Sequence, residues 1–125
     1  ARIVSTSIPA VLRGGLVARY SVNEQVAGNF EVILSASMAR RLGIHGSFAQ
    51  GLPKGSPRSV VIAHAILVTT RAGHNTIKIK LSKRTAGGLR KAGKKITVML
   101  RLFVHNGASK NPKTATVLAS GILHR

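Results

Sequence analysis

Hydrophobic and polar residues alternate with a period of two along much of this chain. The stretch 76–81 is the clearest example, because Ile77 and Ile79 alternate there with Lys78 and Lys80. Strict alternation is typical of a strand with one buried and one solvated face. The same pattern, or a continuous apolar run, predicts further strands at 15–22, 30–34, 60–70, 94–106 and 113–123. The opening 2–13 predicts one or two edge strands, since Pro9 disfavours a central position in a sheet.

Two similar segments interrupt this alternation, LSASMARRL at 34–42 and LSKRTAGGL at 81–89. In each, the serine is well placed to cap a short helix, and the following alanine and leucine share one helix face. Glycines soon after each segment indicate the helix end. We therefore expect two short helical crossovers, 35–43 and 82–92, that close one end of a sandwich. Each is too short to fill the major groove of DNA.

The predicted fold is all-β: a two-sheet antiparallel sandwich of about seven strands in a single domain, 1–125. No long helices alternate with the strands, so the pattern does not indicate a parallel sheet. Glycine, proline and serine crowd the segment 46–59, which has no periodicity, and we expect a mobile loop there.

Charge separates this chain from most globular domains. It has 20 Lys and Arg against two acidic residues, Glu24 and Glu31, which gives a formal net charge of +18 over 125 residues. Such a surface favours polyanionic partners. The chain has no cysteine, which excludes disulfides and thiol nucleophiles. Its longest apolar run, 60–68, is about half of the ~20 residues that a membrane-spanning helix needs, so we expect no transmembrane segment.

The second half of the chain resembles a known kind of domain. The stretch IKIKLSKRTAGGLRKAGKKITVMLRLFVHNG is similar to small immunoglobulin-like sandwich domains of secreted and surface proteins of high-GC actinobacteria. The resemblance is best over 76–123 and looser over 15–46. It implies an immunoglobulin-like sandwich that serves as a spacer, adhesion or assembly module, and it supplies no catalytic residues.

Candidate catalytic chemistry is sparse. GLRKAGK at 88–94 fits part of a phosphate-binding loop, but Lys95 stands where Ser or Thr would bind magnesium, and a strand follows. A paired-carboxylate mechanism would have to use the two glutamates, which flank a hairpin turn. The five histidines never occur at i, i+2 or i, i+4 spacing. We expect no enzyme, no metal, no cofactor and no small-molecule substrate.

Basic residues concentrate in one short span, which we call the basic ridge. With no acidic residue among them, they form a candidate polyanion-binding site whose partner would be a cell-wall phosphate polymer or a nucleic-acid backbone. Scarce aromatic residues indicate that bases are not read. The basic ridge consists of Lys78, Lys80, Lys83, Arg84, Arg90, Lys91, Lys94 and Lys95.

Some strands carry apolar residues on both faces, although a sandwich buries only one face of each sheet. The second face must be covered by crossovers or by another subunit, which predicts self-association into a homo-oligomer or filament. The candidate assembly interface consists of Val61, Leu67, Met99, Phe103, Leu118 and Ile122.

Together these patterns predict a noncatalytic structural module, extracellular or at the cell surface, that assembles and uses a basic edge against an anionic polymer. The alternative is a nucleic-acid-binding protein without sequence preference, located in the cytoplasm or in a virion. Binding to cell-wall material would favour the first, and binding to DNA the second.

Overall fold

In the computed structural model, the described residues are 2–4, 6–22, 26–49, 52, 55, 58–70, 73–93, 95–105 and 114–125. The side chains at 22, 26, 67–70, 105, 114 and 115 lie outside this description. The elements in chain order are β1 (Arg2–Ile3), α1 (Ile8–Gly14), β2 (Leu16–Val22), β3 (Val26–Ser35), α2 (Ala36–Leu42), β4 (Ser47–Phe48), β5 (Ser59–Thr70), β6 (Gly73–Ile79), α3 (Lys83–Leu89), β7 (Lys95–His105) and β8 (Thr114–His124).

The strands form two antiparallel sheets. A small sheet has the order β1-β2-β6, and a large sheet has the order β4-β5-β3-β7-β8. The prediction of a mostly β, two-sheet antiparallel architecture is confirmed, and the arrangement is sandwich-like. Within the predicted loop 46–59, Ser47 and Phe48 form a short strand that pairs with Val61 and Val60, and positions 50, 51, 53, 54, 56 and 57 lie outside the described residues.

The core lies between the sheets and follows the alternation. In β7, the predicted inward residues Val98, Leu100 and Leu102 are buried. One contact between aromatic side chains joins the sheets at the centre: the rings of Tyr20 in β2 and Phe30 in β3 meet edge to face, with centroids 5.0 Å apart. Such pairs add about 0.5–1.5 kcal/mol beyond the area they bury.

Three short helices close one end of the sandwich, and each begins at a serine. The side chain of Ser35 accepts a hydrogen bond from the Met38 amide, and that of Ser82 from the Thr85 amide, as predicted for the two repeated segments. Their leucines, Leu42 and Leu89, are buried. However, α2 joins two strands of the same sheet, so of the two predicted crossovers α3 alone connects one sheet to the other among the described residues.

Of the stretch 2–13, predicted as one or two edge strands, Arg2–Ile3 form the edge strand β1, whereas the second half is the third helix, α1. Ser7 caps it by accepting from the Ala10 amide at 3.3 Å. Pro9 lies in the first turn, where its missing N–H costs nothing. Ile8 and Val11, three residues apart, bury one face. The proline that disfavours a central strand is therefore a helix-start signal here.

The first and last strands meet across the sandwich. A Cβ on Gly121 in β8 would lie only 3.0 Å from Cβ of Ile3 in β1, so the two strands are in close contact. Farther along, the backbone N–H of His124 donates to the carbonyl of Thr6 at 2.8 Å. This hydrogen bond ties the segment before α1 to the free side of β8.

Candidate anion-binding surface

The outer face of the small sheet is set by the alternation of β2. Leu16, Ala18 and Tyr20 are buried, so Arg19 between them points to the solvent side. In β6 the same rule turns Lys78 outward beside the buried Ile79. Because β2 pairs with β6, these outward residues come together on one face.

Two arginines lie directly opposite each other on this face. The register of β1 and β2 places Arg2 across from Arg19, and the register of β2 and β6 places Arg19 across from Thr76. Residues opposite each other in an antiparallel pair have Cβ atoms about 4.5–5.5 Å apart, and like charges there are destabilising. The arrangement therefore favours an anion that bridges both guanidinium groups.

No carboxylate faces these arginines within the part of the chain that the structure describes. Glu31 lies on the large sheet, where its Oε1 accepts from Nε of Arg101 at 2.8 Å. The other acidic residue, Glu24, lies outside the described residues. The face thus carries an uncompensated positive charge in the described structure.

A shallow cavity of about 510 Å³ opens between these strands and is lined by groups that donate hydrogen bonds. Its polar lining includes both arginines, the hydroxyls of Ser21 and Thr76, and the imidazole of His74. Guanidinium forks bind phosphate and sulfate oxygens in pairs, and hydroxyls complete such sites. We call this surface the basic face, defined by Arg2, Arg19, Ser21, His74, Thr76 and Lys78.

The described residues of the predicted basic ridge lie on and around β6, α3 and the start of β7. Lys78 belongs to the basic face, and Lys80 is the first residue after the end of β6. Lys83 and Arg84 occupy the first turn of α3, while Arg90 and Lys91 follow its last turn. All of these are exposed, as is Lys95 at the start of β7 in the large sheet; Lys94 lies outside the described residues.

Arg2 and Arg19 are not part of the predicted basic ridge, because that prediction groups cations by their closeness along the chain. Arg19 carried a usable signal, since the alternation in 15–22 already turned it outward. What the sequence did not provide was the pairing of β2 with β1 and β6, which brings residues 2, 19 and 78 together.

The outer face of the large sheet is different, and most of the predicted assembly residues lie on it. Val61 and Met99 flank Ile33, which is only 2% exposed although it does not belong to the main core cluster between the sheets. Phe103, Leu118 and Ile122 are exposed farther out. The side chain of Leu67 lies outside the described residues. We call this surface the apolar face, defined by Ile33, Val61, Ile66, Met99, Phe103, Leu118 and Ile122.

A register shift in β5 determines which of its residues join the apolar face. Ile33 pairs with Val61, but Val32 pairs with Ala63, so Ile62 is an extra residue in the ladder. Beyond this bulge the alternation is inverted: Ala65 packs on the core and Ile66 is 70% exposed. An unbroken alternation through 60–70, as the sequence suggests, would have placed Ala63 and Ala65 with Val61 on one face.

Models of known protein families, curated proteins and solved structures all yield no match to this chain. Within the described residues, no three His or carboxylate side chains are grouped so that they could hold a metal ion. Over the same residues, none of the helices has the length and apolar character needed to cross a membrane.

Proposed function

We propose that this protein is a noncatalytic structural module that binds the backbone of a phosphodiester-linked polyanion through its basic face. The observation that supports this most strongly is the direct opposition of Arg2 and Arg19, with Lys78 on the same face and no described carboxylate toward them. A sheet stabilised by its own contacts alone gains nothing from this placement, because like charges opposite each other cost free energy.

Electrostatics supports the proposal at long range as well. A formal net charge of +18 attracts polyanions from a distance and speeds their association. Each phosphate neutralised by an arginine or lysine releases counterions, which makes binding strongly salt-dependent. A flat, three-stranded face suits an extended polymer better than a compact ligand.

The basic face favours backbone contacts over base recognition. Tyr20 also lines the cavity, but its ring is buried against Phe30. Single-stranded nucleic acids are usually read by stacking bases on exposed rings, which this face does not offer among its described residues. Binding should therefore depend on the phosphates and be insensitive to sequence.

Two kinds of polymer carry a phosphodiester backbone that the basic face could bind. In the first, the module acts at the cell surface on a cell-wall phosphate polymer, in line with the immunoglobulin-like resemblance. In the second, it associates with nucleic acid in the cytoplasm or a virion. No match to a known protein gives a location or a family, so the immunoglobulin-like relationship and the extracellular location are parts of the proposal.

Self-association also remains part of the proposal. Five of the six residues predicted as an assembly interface share the outer face of the large sheet, on the side opposite to the basic face. A module that assembles through one side and binds a polyanion with the other could coat a polymer without its two surfaces competing.

The test compares polyanion binding by two variants: one loses three positive charges from the basic face, and the control loses three positive charges elsewhere. The variant R2Q/R19Q/K78Q is measured against R13Q/R40Q/R41Q, whose cations lie on α1 and α2 at the helix end. We expect the Kd for single-stranded DNA or poly(glycerol phosphate) to rise roughly 10- to 100-fold in the first variant. The slope of log K against log salt should fall by about 2, and the matched control should change much less.

Equal losses in both variants would overturn the proposal, because binding would then follow net charge alone. A third variant, K83Q/R84Q/K91Q, tests the basic ridge around α3 in the same assay. Tighter binding of poly(glycerol phosphate) than of DNA would identify the cell surface as the site of action, and the reverse would identify nucleic acid.

A further inference from the structure

We propose that β8 pairs antiparallel with β8 of a second copy, so that two large sheets join into one continuous sheet. The pairing is an interaction surface separate from the basic face and does not depend on the proposed polyanion binding. Its partner is another copy of this chain, and its site is the free side of an edge strand.

The composition of β8 makes it an open edge. Thr114–Leu123 contains no charged residue and no proline, in a chain with 20 Lys and Arg. Natural proteins protect long edge strands with lysines, prolines, bulges or short lengths. β6, the edge of the small sheet, carries Lys78, and β4, the other edge of the large sheet, has two residues. β8 has eleven residues, and no bulge interrupts its register with β7.

The backbone of β8 shows which groups are available for pairing. The N–H of His124 points away from β7, because it donates to Thr6. Along an antiparallel strand, N–H and C=O groups point to alternate sides from one residue to the next. The groups of Thr116, Leu118, Ser120 and Ile122 therefore face the free side, and among the described residues only the segment before α1 pairs with this side, at His124.

A two-fold axis at Ala119 uses all four of these residues. Leu118 then lies opposite Ser120 of the second copy, and Thr116 lies opposite Ile122 of that copy. Each such pair exchanges two N–H···O=C hydrogen bonds. Leu118, now 36% exposed, becomes a diagonal neighbour of Leu118 and Ile122 of the second copy, which buries part of the apolar face.

The absence of charged side chains makes β8 a favourable edge for contact between two identical copies. Molecules that each carry +18 repel one another, and a strip without charged side chains is where that repulsion is weakest. On the neighbouring strand β7, Arg101 is already paired with Glu31. Edges without such protection pair readily with a matching strand.

The geometry places both basic faces on the same side of the joined sheet. Opposite residues of an antiparallel pair point to the same face, so the two small sheets lie side by side. A polyanion that contacts both copies would then promote pairing, and pairing would promote polyanion binding. This last consequence rests on the proposed function, whereas the pairing itself does not.

The experiment measures mass against protein concentration by sedimentation equilibrium at high salt and without polyanion. We expect the wild-type chain, 13.2 kDa, to shift toward twice that mass with rising concentration. S120P removes an outward N–H without touching the ladder to β7, and L118K adds a charge at an exposed position; both should remain monomeric. I66K places the same charge on β5 of the apolar face and should dimerise like the wild type.

Three results would overturn the proposal: a monomeric wild type at the highest concentration, dimers of L118K and S120P, or loss of dimers in I66K alone. The last would indicate packing of two apolar faces in place of pairing of two edges. The register has its own test, since the chain has no cysteine. A119C should form an intermolecular disulfide across the two-fold axis under mild oxidation, and I66C should not.

Discussion

The outer faces of the two sheets are built by the same alternation yet have opposite properties. On the small sheet, Arg2 and Arg19 face each other in water without a described carboxylate. On the large sheet, Glu31 and Arg101 form an ion pair, and Ile33, two residues farther along β3 on the same face, is buried. The difference comes from the cross-strand neighbours. Ile33 and Arg19 both lie on central strands. However, Ile33 has the apolar side chains of Val61 and Met99 beside it. Arg19 instead lies between Arg2 and Thr76.

The largest expected effect is a difference in the free energy of unfolding between a substitution on the apolar face and one on the basic face. I33A removes a side chain enclosed by Val61 and Met99 and should lower the free energy of unfolding by about 2–4 kcal/mol. V17A, at a half-exposed position on the outer side of the small sheet, should cost less than about 1 kcal/mol. Urea denaturation followed by circular dichroism measures both. Similar losses in the two variants would show that the apolar face is as solvated as the basic one.

The second-largest expected effect is the loss of stability when the ion pair on the apolar face is broken. E31Q leaves Arg101, whose side chain is 12% exposed, without its carboxylate and should destabilise the protein by about 1–2 kcal/mol. The figure lies between the small contribution of exposed pairs and the larger cost of breaking fully buried ones. The same urea titration checks it, with E24Q as the matched control. An unchanged midpoint in E31Q would mean that solvent already screens the pair.

The smallest expected effect is a gain in stability, in contrast to the two losses above. R19Q removes one of two like charges that face each other and should raise the free energy of unfolding by about a few tenths of a kcal/mol at low salt. The gain should disappear near 1 M salt, where the Debye length is only about 3 Å. Thermal unfolding at two salt concentrations measures it. A loss of stability at low salt would show that Arg19 has a stabilising partner.

Much of the fold could be predicted because local rules were sufficient for it. The alternation of Ile77, Lys78 and Ile79 placed β6 correctly, and Ser35 and Ser82 marked the starts of two helices. α1 obeys the same rules, with Ser7 as cap, a proline in the first turn and glycines after it. It was missed because its serine follows no strand-like run and because Pro9 was interpreted as a feature of an edge strand.

The candidate site could be predicted less completely, because it depends on pairing across the sheet. Arg2, Arg19 and Lys78 are distant in sequence, and only the registers of β1, β2 and β6 join them. The bulge at Ile62 is a similar case. Its carbonyl accepts from the hydroxyl of Thr85 in α3 at 3.4 Å, a contact between elements far apart in the chain. No local sequence pattern in 59–70 predicts this bulge.

The hydrogen bond between Thr6 and His124 has a consequence for the order of folding. As the chain leaves a ribosome, the segment before α1 emerges long before His124, the residue that anchors it. Closing a loop of nearly the whole chain carries a large entropic cost, and contacts of such long range slow folding. β1 can pair with β2 well before this, but the segment before α1 cannot form its hydrogen bond to β8 until synthesis has passed His124.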